Sequence, residues 1–475
     1  MDAATILNYF KEITRVPRES GHEGPMIKYL QDFAAGHNLP CKTDKTGNVL
    51  ITKAAAPGKE NVPTLVLQAH QDMVCEKNPG FEFDFLTQPI PYEEEDGWLI
   101  ARNTTLGADD GIGVAACLAL LAGKEPMGKL ECLFTISEET GMDGAFGLEA
   151  GFFDGKTLIN LDSEDEGQMF VGCAGGMDTT ATIQLEREPL RKGYTILKVS
   201  VTGAQGGHSG DDINKERANA LRELVRFLYT ELQYDYQLIS LEGGNKPNAI
   251  CRHAEAVIAV PSEEVNEMVE DVNAFAKVLE AEFASSDPAV NALCIPFESK
   301  ERPIAEAHAA SIVATLLACP HGVEKMSIDI PGLVETSSNL AAAHVKENTL
   351  TVITSQRSSV VSELHAMAEK VEAVFFLGGF EVEHHGEYPG WKPNLKSHIL
   401  EVTVQAYKEL FGREPEVKAI HAGLECGLFL EKFPDLDMIS FGPSLRGVHA
   451  PGEKLELASL EKFARHLNHI VLNFK

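Results

Sequence analysis

Apolar and polar positions alternate along this chain with two different periods. Over residues 6–14 and 25–35 apolar side chains recur every three to four positions, the spacing of amphipathic helices. Short, nearly continuous apolar runs follow at 64–68 and 131–136, and between them 111–122 is apolar almost throughout, as a buried helix would be. Brief apolar strands alternating with helices predict a mostly parallel sheet with helices on both faces. The Ala-, Pro-, Gly- and Lys-rich stretch 53–62 reads as a turn ahead of the first of these strands.

From about residue 185 the texture changes. Residues 194–201 alternate as a half-buried strand, 204–210 form a Gly-rich loop, and 218–232 return to an amphipathic helical period. Strand character near Ala256 and a helix over 265–283 complete a first round; a helix over 305–317, a strand over 350–355 and a helix over 362–376 make a second. The repeated strand, loop and helix pattern predicts an inserted α+β domain over 186–390. Helix, strand and helix patterns resume after about 394, so the α/β domain is predicted to be discontinuous, built from 1–185 and 391–475.

Composition narrows the class without deciding it. A chain of 475 residues with 44% hydrophobic side chains is long enough for two or three well-buried cores. Forty-one Lys and Arg against seventy-one Asp and Glu give a formal charge of -30, which excludes nucleic acid and anionic membrane as natural partners. Residues 1–5 show no basic region leading into an apolar core, so no secretory segment is expected, and no apolar run approaches the ~20 residues that span a bilayer. Nine scattered cysteines without a Cys-x-x-Cys pair predict reduced thiols and a cytoplasmic location.

The candidate chemistry lies where the strand-like runs end. The run at 64–67 leads to His70-Gln71-Asp72, that at 130–136 to Glu138-Glu139, that at 158–161 to Asp162, and that at 438–441 to a loop holding His449. A fifth cluster, Asp109-Asp110, opens the buried helix. Open α/β sheets carry their sites at strand ends, and carboxylates and imidazoles converging there are what a two-metal hydrolytic site requires. His384-His385, a tandem pair at the end of the inserted domain, reads as exposed and incidental. The Gly-rich loop around His208 lacks the Gly-Lys-Ser/Thr of a phosphate loop.

The local wording of these clusters, AHQDM, LGADDG, SEETG, LDSE and GVHAPGE, together with HSG at His208, PNAI at Asn248, VETSSNLA at Glu335 and SQRSS at Arg357, resembles the M20 family of co-catalytic zinc peptidases, and within it the aminoacyl-histidine dipeptidases. The resemblance runs over essentially the whole chain. It implies a two-zinc dipeptidase, with Co2+ or Mn2+ able to substitute. One ion would be held by His70, Asp109 and Asp162, the other by Asp109, Glu139 and His449, with Asp109 bridging. Asp72 would orient His70. The Asp109–Asp110 peptide would be cis.

Sequence alone leaves open which of the two glutamates is ligand and which is base. The family pattern makes Glu138 the general base and Glu139 the ligand. It further implies that His208, on a closing lid, stabilises the oxyanion, that Arg357 clamps the substrate's C-terminal carboxylate, and that Asn248 belongs to the same pocket. The expected partner is a small unblocked dipeptide, with Xaa-His preferred. A homodimer formed through the lid, or a lid long enough to complete the site within one chain, both suit the length of the insertion. A tripeptide aminopeptidase or an N-acyl amino acid deacylase could use the same metals, although Asp rather than Glu at 162 resembles the amino- and dipeptidase branch. A catalytically dead peptide-binding protein would usually have lost one of the ligands or Glu138.

Overall fold

Two large sheets organise the chain in the computed structural model, which describes residues 1–231 and 235–475. They divide it into two units, one of residues 1–173, 391–419 and 424–475, the other of 174–390 and 420–423.

The first unit is a mixed α/β structure. Its eight-stranded sheet runs in the order Cys41–Thr43, Val49–Lys53, Leu130–Thr135, Leu65–His70, Thr157–Asn160, Asp437–Ser440, Gln168–Cys173, Glu416–Ile420. The four central strands, from Leu130–Thr135 to Asp437–Ser440, pair in parallel, and antiparallel strands flank them. Every residue of Leu65–His70 and of Leu130–Thr135 is buried. Because successive strand residues face opposite sides, burial of all of them requires cover on both faces, which explains the nearly continuous apolar runs in the sequence, broken by Gln68 and Glu131. The helix Ala108–Ala122 supplies part of that cover; it packs on Leu65–His70 and is itself covered by Ala3–Ile13.

In the second unit the sheet is antiparallel, ordered Asn291–Pro296, Tyr194–Thr202, Ala254–Pro261, Gln237–Gly243, Val334–Lys346, Thr349–Ser358, Gly175–Gln184, Glu381–Tyr388, with Gly322–Met326 paired beside Val334–Lys346. Tyr194–Thr202 alternates buried and half-buried positions, as expected of a strand with one face on a core. Helices Ala220–Thr230, Val265–Glu282, Glu306–Ala318 and Val361–Leu377 lie within two residues of the expected bounds, except that the end of the first, at Leu232, falls outside the described residues.

One assignment changes. Residues 174–185, read with the α/β domain on sequence, carry the strand Gly175–Gln184, which pairs with Thr349–Ser358 and Glu381–Tyr388 and so belongs to the second sheet. All nine cysteines are free thiols, six of them buried. Among the described residues no helix is long and apolar enough to cross a membrane.

Candidate metal centre and substrate-recognition residues

The ends of the parallel strands bring seven of the candidate residues together. His70 ends its strand; Asp162 lies two residues past Asn160; Glu138 and Glu139 open a short helix that starts after Ser137, whose left-handed backbone (φ 51°) turns the chain sharply. In a helical first turn adjacent side chains diverge by about 100° rather than the 180° of a strand, so both glutamates can face one site. The Asp109–Asp110 peptide is cis, and His449 sits in its loop at φ 61°.

Asp109 is at the centre. Its Oδ1 lies 3.0 Å from Nε2 of His70, which is also 3.7 Å from Oδ1 of Asp162. Its Oδ2 lies 3.1 Å from Nε2 of His449, which is 2.8 Å from Oε2 of Glu139. His70, Asp109 and Asp162 form one trio whose potential ligand atoms all lie within 4.8 Å of one another, and Asp109, Glu139 and His449 form a second. His70, Glu138 and Glu139 meet the same spacing, so distance alone gives either glutamate access to a metal.

Asp72 stands behind the cluster. Its Oδ1 is 3.4 Å from Nδ1 of His70, and its two oxygens accept the backbone N–H groups of Glu138 and Glu139 at 3.1 and 3.3 Å and the hydroxyl of Ser20 at 2.7 Å. One carboxylate thereby holds the helical turn that carries both glutamates and stands beside the imidazole.

The electrostatics fit divalent cations. Burial raises the Asp162 carboxyl well above its usual range and Asp109 adds to the shift; burial also pushes Glu138 up to about 8, with Glu425, Glu139 and Asp109 adding repulsion. Burial opposes a charge on His70, yet Asp162, Asp109 and Asp72 hold its pKa well above normal. Hydrogen bonds to Asp109 and Glu139 raise His449 to about 11. Each imidazolium proton thus provides positive charge that a dication would supply more fully, and Glu139 Oε1 is buried without a hydrogen-bond partner. Nitrogen and oxygen donors in two trios sharing one carboxylate suit a pair of zinc-like ions.

Sequence reading missed the layer beneath the candidate ligands. Gln68 Nε2 donates to Glu425 at 2.6 Å and Gln68 Oε1 accepts from Asn160 at 2.6 Å, while Thr135 donates to the same Glu425 oxygen at 2.9 Å. Each of these three strand residues precedes a segment of candidate ligands by two or three positions. Glu425 is fully buried on an unrelated helix, and nothing in its local sequence marks it.

The remaining candidates belong to the second unit. Arg357, 7% exposed, donates from Nε to Ser209 at 3.3 Å and from Nη1 to the Tyr388 hydroxyl at 3.0 Å. His208 is partly buried, with Nδ1 accepting from the N–H groups of Gly210 and Asp211 at 3.3 Å each. Asn248 is exposed, and its carbonyl accepts from Ser209 N at 2.9 Å. An unforeseen neighbour is His421, whose Nε2 lies 2.7 Å from the Ser337 hydroxyl; burial and then the charge of Arg357 hold its pKa down at about 3. Ser337 and Arg357 are direct cross-strand partners.

Comparison with known proteins places these observations in context. Residues 66–473 match the family model for Peptidase family M20/M25/M40. The cytosol non-specific dipeptidase of Escherichia coli K12 is 38% identical over 453 residues, 95% of this chain and 93% of that protein. The crystal structure of aminoacylhistidine dipeptidase from Vibrio alginolyticus superposes with a TM-score of 0.92 at 38% identity, covering 99% of this chain and 97% of that one. An aminopeptidase from Bacillus cereus, with a TM-score of 0.59 at 18% identity over 99% of this chain and 98% of its own, shares the fold.

Proposed function

The chain belongs to peptidase family M20/M25/M40, a metallopeptidase, and from this we infer that it hydrolyses unblocked dipeptides, Xaa-His among them, using two divalent ions. One observation carries the two-ion reading: two ligand trios share Asp109, with Oδ1 on the His70 side and Oδ2 on the His449 side. These residues would hold ions that, when bound, would supply Lewis-acid polarisation of the scissile carbonyl and acidify a water, zinc suiting the donors and Co2+ or Mn2+ tolerating the carboxylates.

The chain's own residues do the rest. We assign His70, Asp109 and Asp162 to one ion and Asp109, Glu139 and His449 to the other, with Asp72 fixing the orientation of His70. Glu138 takes a proton from the attacking water and returns it to the departing amine nitrogen. His208 stabilises the oxyanion and Arg357 holds the substrate's C-terminal carboxylate, a task suited to a planar guanidinium already oriented by Ser209 and Tyr388. Asn248 is a further residue of that pocket. In this reading 1–173, 391–419 and 424–475 form the catalytic part and the second unit recognises substrate. The free thiols suit a reducing cytoplasm.

The two relatives at 38% identity bear different names, one non-specific and one aminoacylhistidine, so side-chain preference needs a direct measurement. Purified protein should bind two ions per chain, lose activity in chelator and recover with Zn2+, Co2+ or Mn2+, and Asp109→Ala should lose both ions. Across a substrate panel, unblocked dipeptides should outrun tripeptides and N-acyl amino acids. A single ion per chain would refute the shared-ligand site, and faster turnover of tripeptides or N-acyl amino acids would move the assignment to an aminopeptidase or a deacylase.

A further inference from the structure

Glu453 is 2% exposed and lies four residues after His449. Its Oε2 accepts the backbone N–H groups of Leu106 and Gly107 at 2.7 and 3.0 Å, and its Oε1 those of Ala108 and Asp109 at 2.8 and 3.4 Å. Four consecutive amides leading into the shared ligand Asp109 thus converge on one side chain. These amides lead into the helix Ala108–Ala122, whose backbone is not yet helical at Asp109 and Asp110, and Gly107 has no side chain to cap it. The turn carrying Glu453 is stitched to the same region: Gly452 N donates to the carbonyl of Ala101 at 2.9 Å, and Ala101 N to the carbonyl of Glu453 at 3.0 Å.

Arg18, also 2% exposed, grips the other side of the segment. Its Nη2 donates to the Gly107 carbonyl and its Nη1 to the Asp72 carbonyl at 2.7 Å. The fit is close enough that a Cβ added at Gly107, where φ is +67°, would lie 2.4 Å from Nη2, and one at Gly111 2.6 Å from it. Three segments are therefore joined through two buried side chains acting on backbone atoms: 70–72, 106–109 and 449–453.

We propose that Glu453 and Arg18 are positioning residues that hold the Asp109 segment in ligand geometry before any ion binds, Glu453 tying it to the His449 loop and Arg18 to the His70 segment. The proposal rests on the reading of Asp109 and His449 as ligands. It adds that the site is organised through backbone groups by residues that touch neither metal nor substrate, and Asp109 does not then have to be ordered by the cation it captures.

Glu453→Gln keeps the volume but leaves one acceptor oxygen and turns an NH2 toward the amides. Its control is Glu131→Gln. Glu131 is equally buried and clamps the N–H groups of Asp154 and Gly155 at 2.9 and 3.0 Å, but at the opposite end of its strand from the ligands. Titration of the chelator-treated proteins with Co2+, alongside thermal unfolding of the metal-free forms, should show both variants lowering Tm. Only Glu453→Gln should lose Co2+ affinity, by about 10–100-fold, the usual effect of removing a residue that supports a ligand. Native affinity in Glu453→Gln, or an equal loss in Glu131→Gln, overturns the proposal.

Hydrogen exchange on the native protein decides the matter even if Glu453→Gln does not fold. The amides of 106–109 should exchange as slowly in the metal-free as in the Co2+-loaded protein; amides that exchange freely until Co2+ is added would show that the cation, not Glu453, orders the segment. If native protein binds fewer than two ions, the ligand reading itself has failed, which is a separate outcome.

Discussion

Acidifying the metal-free protein should unmask a buried imidazole remote from the ligands. His466, 3% exposed on the helix Leu457–Asn473, donates from Nε2 to the Thr403 carbonyl at 2.9 Å and packs its ring 4.8 Å from Phe441 and 5.3 Å from Tyr407. Burial holds its pKa at about 4 instead of the ordinary 6.5, although the bond to Thr403 pulls the other way. The unfolded chain takes up this proton near pH 6.5 and the folded chain only near 4, so within that window the unfolded state binds more protons and stability falls as pH falls. The gap corresponds to roughly 3 kcal/mol at ~1.4 kcal/mol per pH unit. His466→Gln cannot titrate. At pH 7.5 it should be the less stable protein by ~1–2 kcal/mol, from the lost bond and ring packing. By pH 4 the native protein should have lost most of that advantage or fallen below the variant. Urea unfolding of both proteins in chelator, at half-unit steps from pH 7.5 to 4, gives the difference directly. Chelator matters because protonated ligands release ions over the same range, and subtraction removes the carboxyls that both proteins share. A difference in midpoint that stays constant across the window would refute the assignment of a neutral buried His466.

Two predictions concern the site itself. Glu138→Gln should keep both ions while kcat falls by ~10²-fold or more, and Glu139→Gln should lose an ion; metal analysis with the opposite pattern would exchange the two roles. Arg357→Ala should chiefly raise KM for dipeptides and His208→Ala chiefly lower kcat. A C-terminally amidated dipeptide should be a poor substrate whose disadvantage shrinks in Arg357→Ala, and equal turnover of free and amidated peptides by the native enzyme would eliminate the carboxylate clamp.

The central strands of the first sheet were legible because burial on both faces leaves no room for polar alternation, so Leu65–His70 and Leu130–Thr135 appear as apolar runs. Gly175–Gln184 was not. Its sequence, GGMDTTATIQ, has two glycines and no long apolar run, and it forms a strand because neighbours on both sides pair with it. Tertiary pairing overrides weak local preference in such a segment, and the domain boundary read from texture moved with it. The candidate ligands stood out for a related reason: a polar residue at the end of an apolar strand is conspicuous, and only side-chain chemistry had to be recognised.

Glu453 and Arg18 carry no such mark, because their partners are backbone atoms, and every residue but proline offers the same N–H and carbonyl. The arginine in PRES and the glutamate that ends GVHAPGE show their partners only once the chain is folded. Their burial also bears on how an acidic site can exist at all. Asp109, Asp162, Glu138 and Glu139 repel one another, and burial raises the pKa of Asp162 and Glu138, so these carboxyl groups cannot stabilise their own arrangement without positive charge. The amides gathered on Glu453 and the carbonyls gathered on Arg18 involve none of those carboxyl groups. Backbone clamping therefore offers a way to keep a cluster of mutually repelling carboxyl groups assembled without a cation, and Asp109, which both candidate trios share, is where such support has the largest effect.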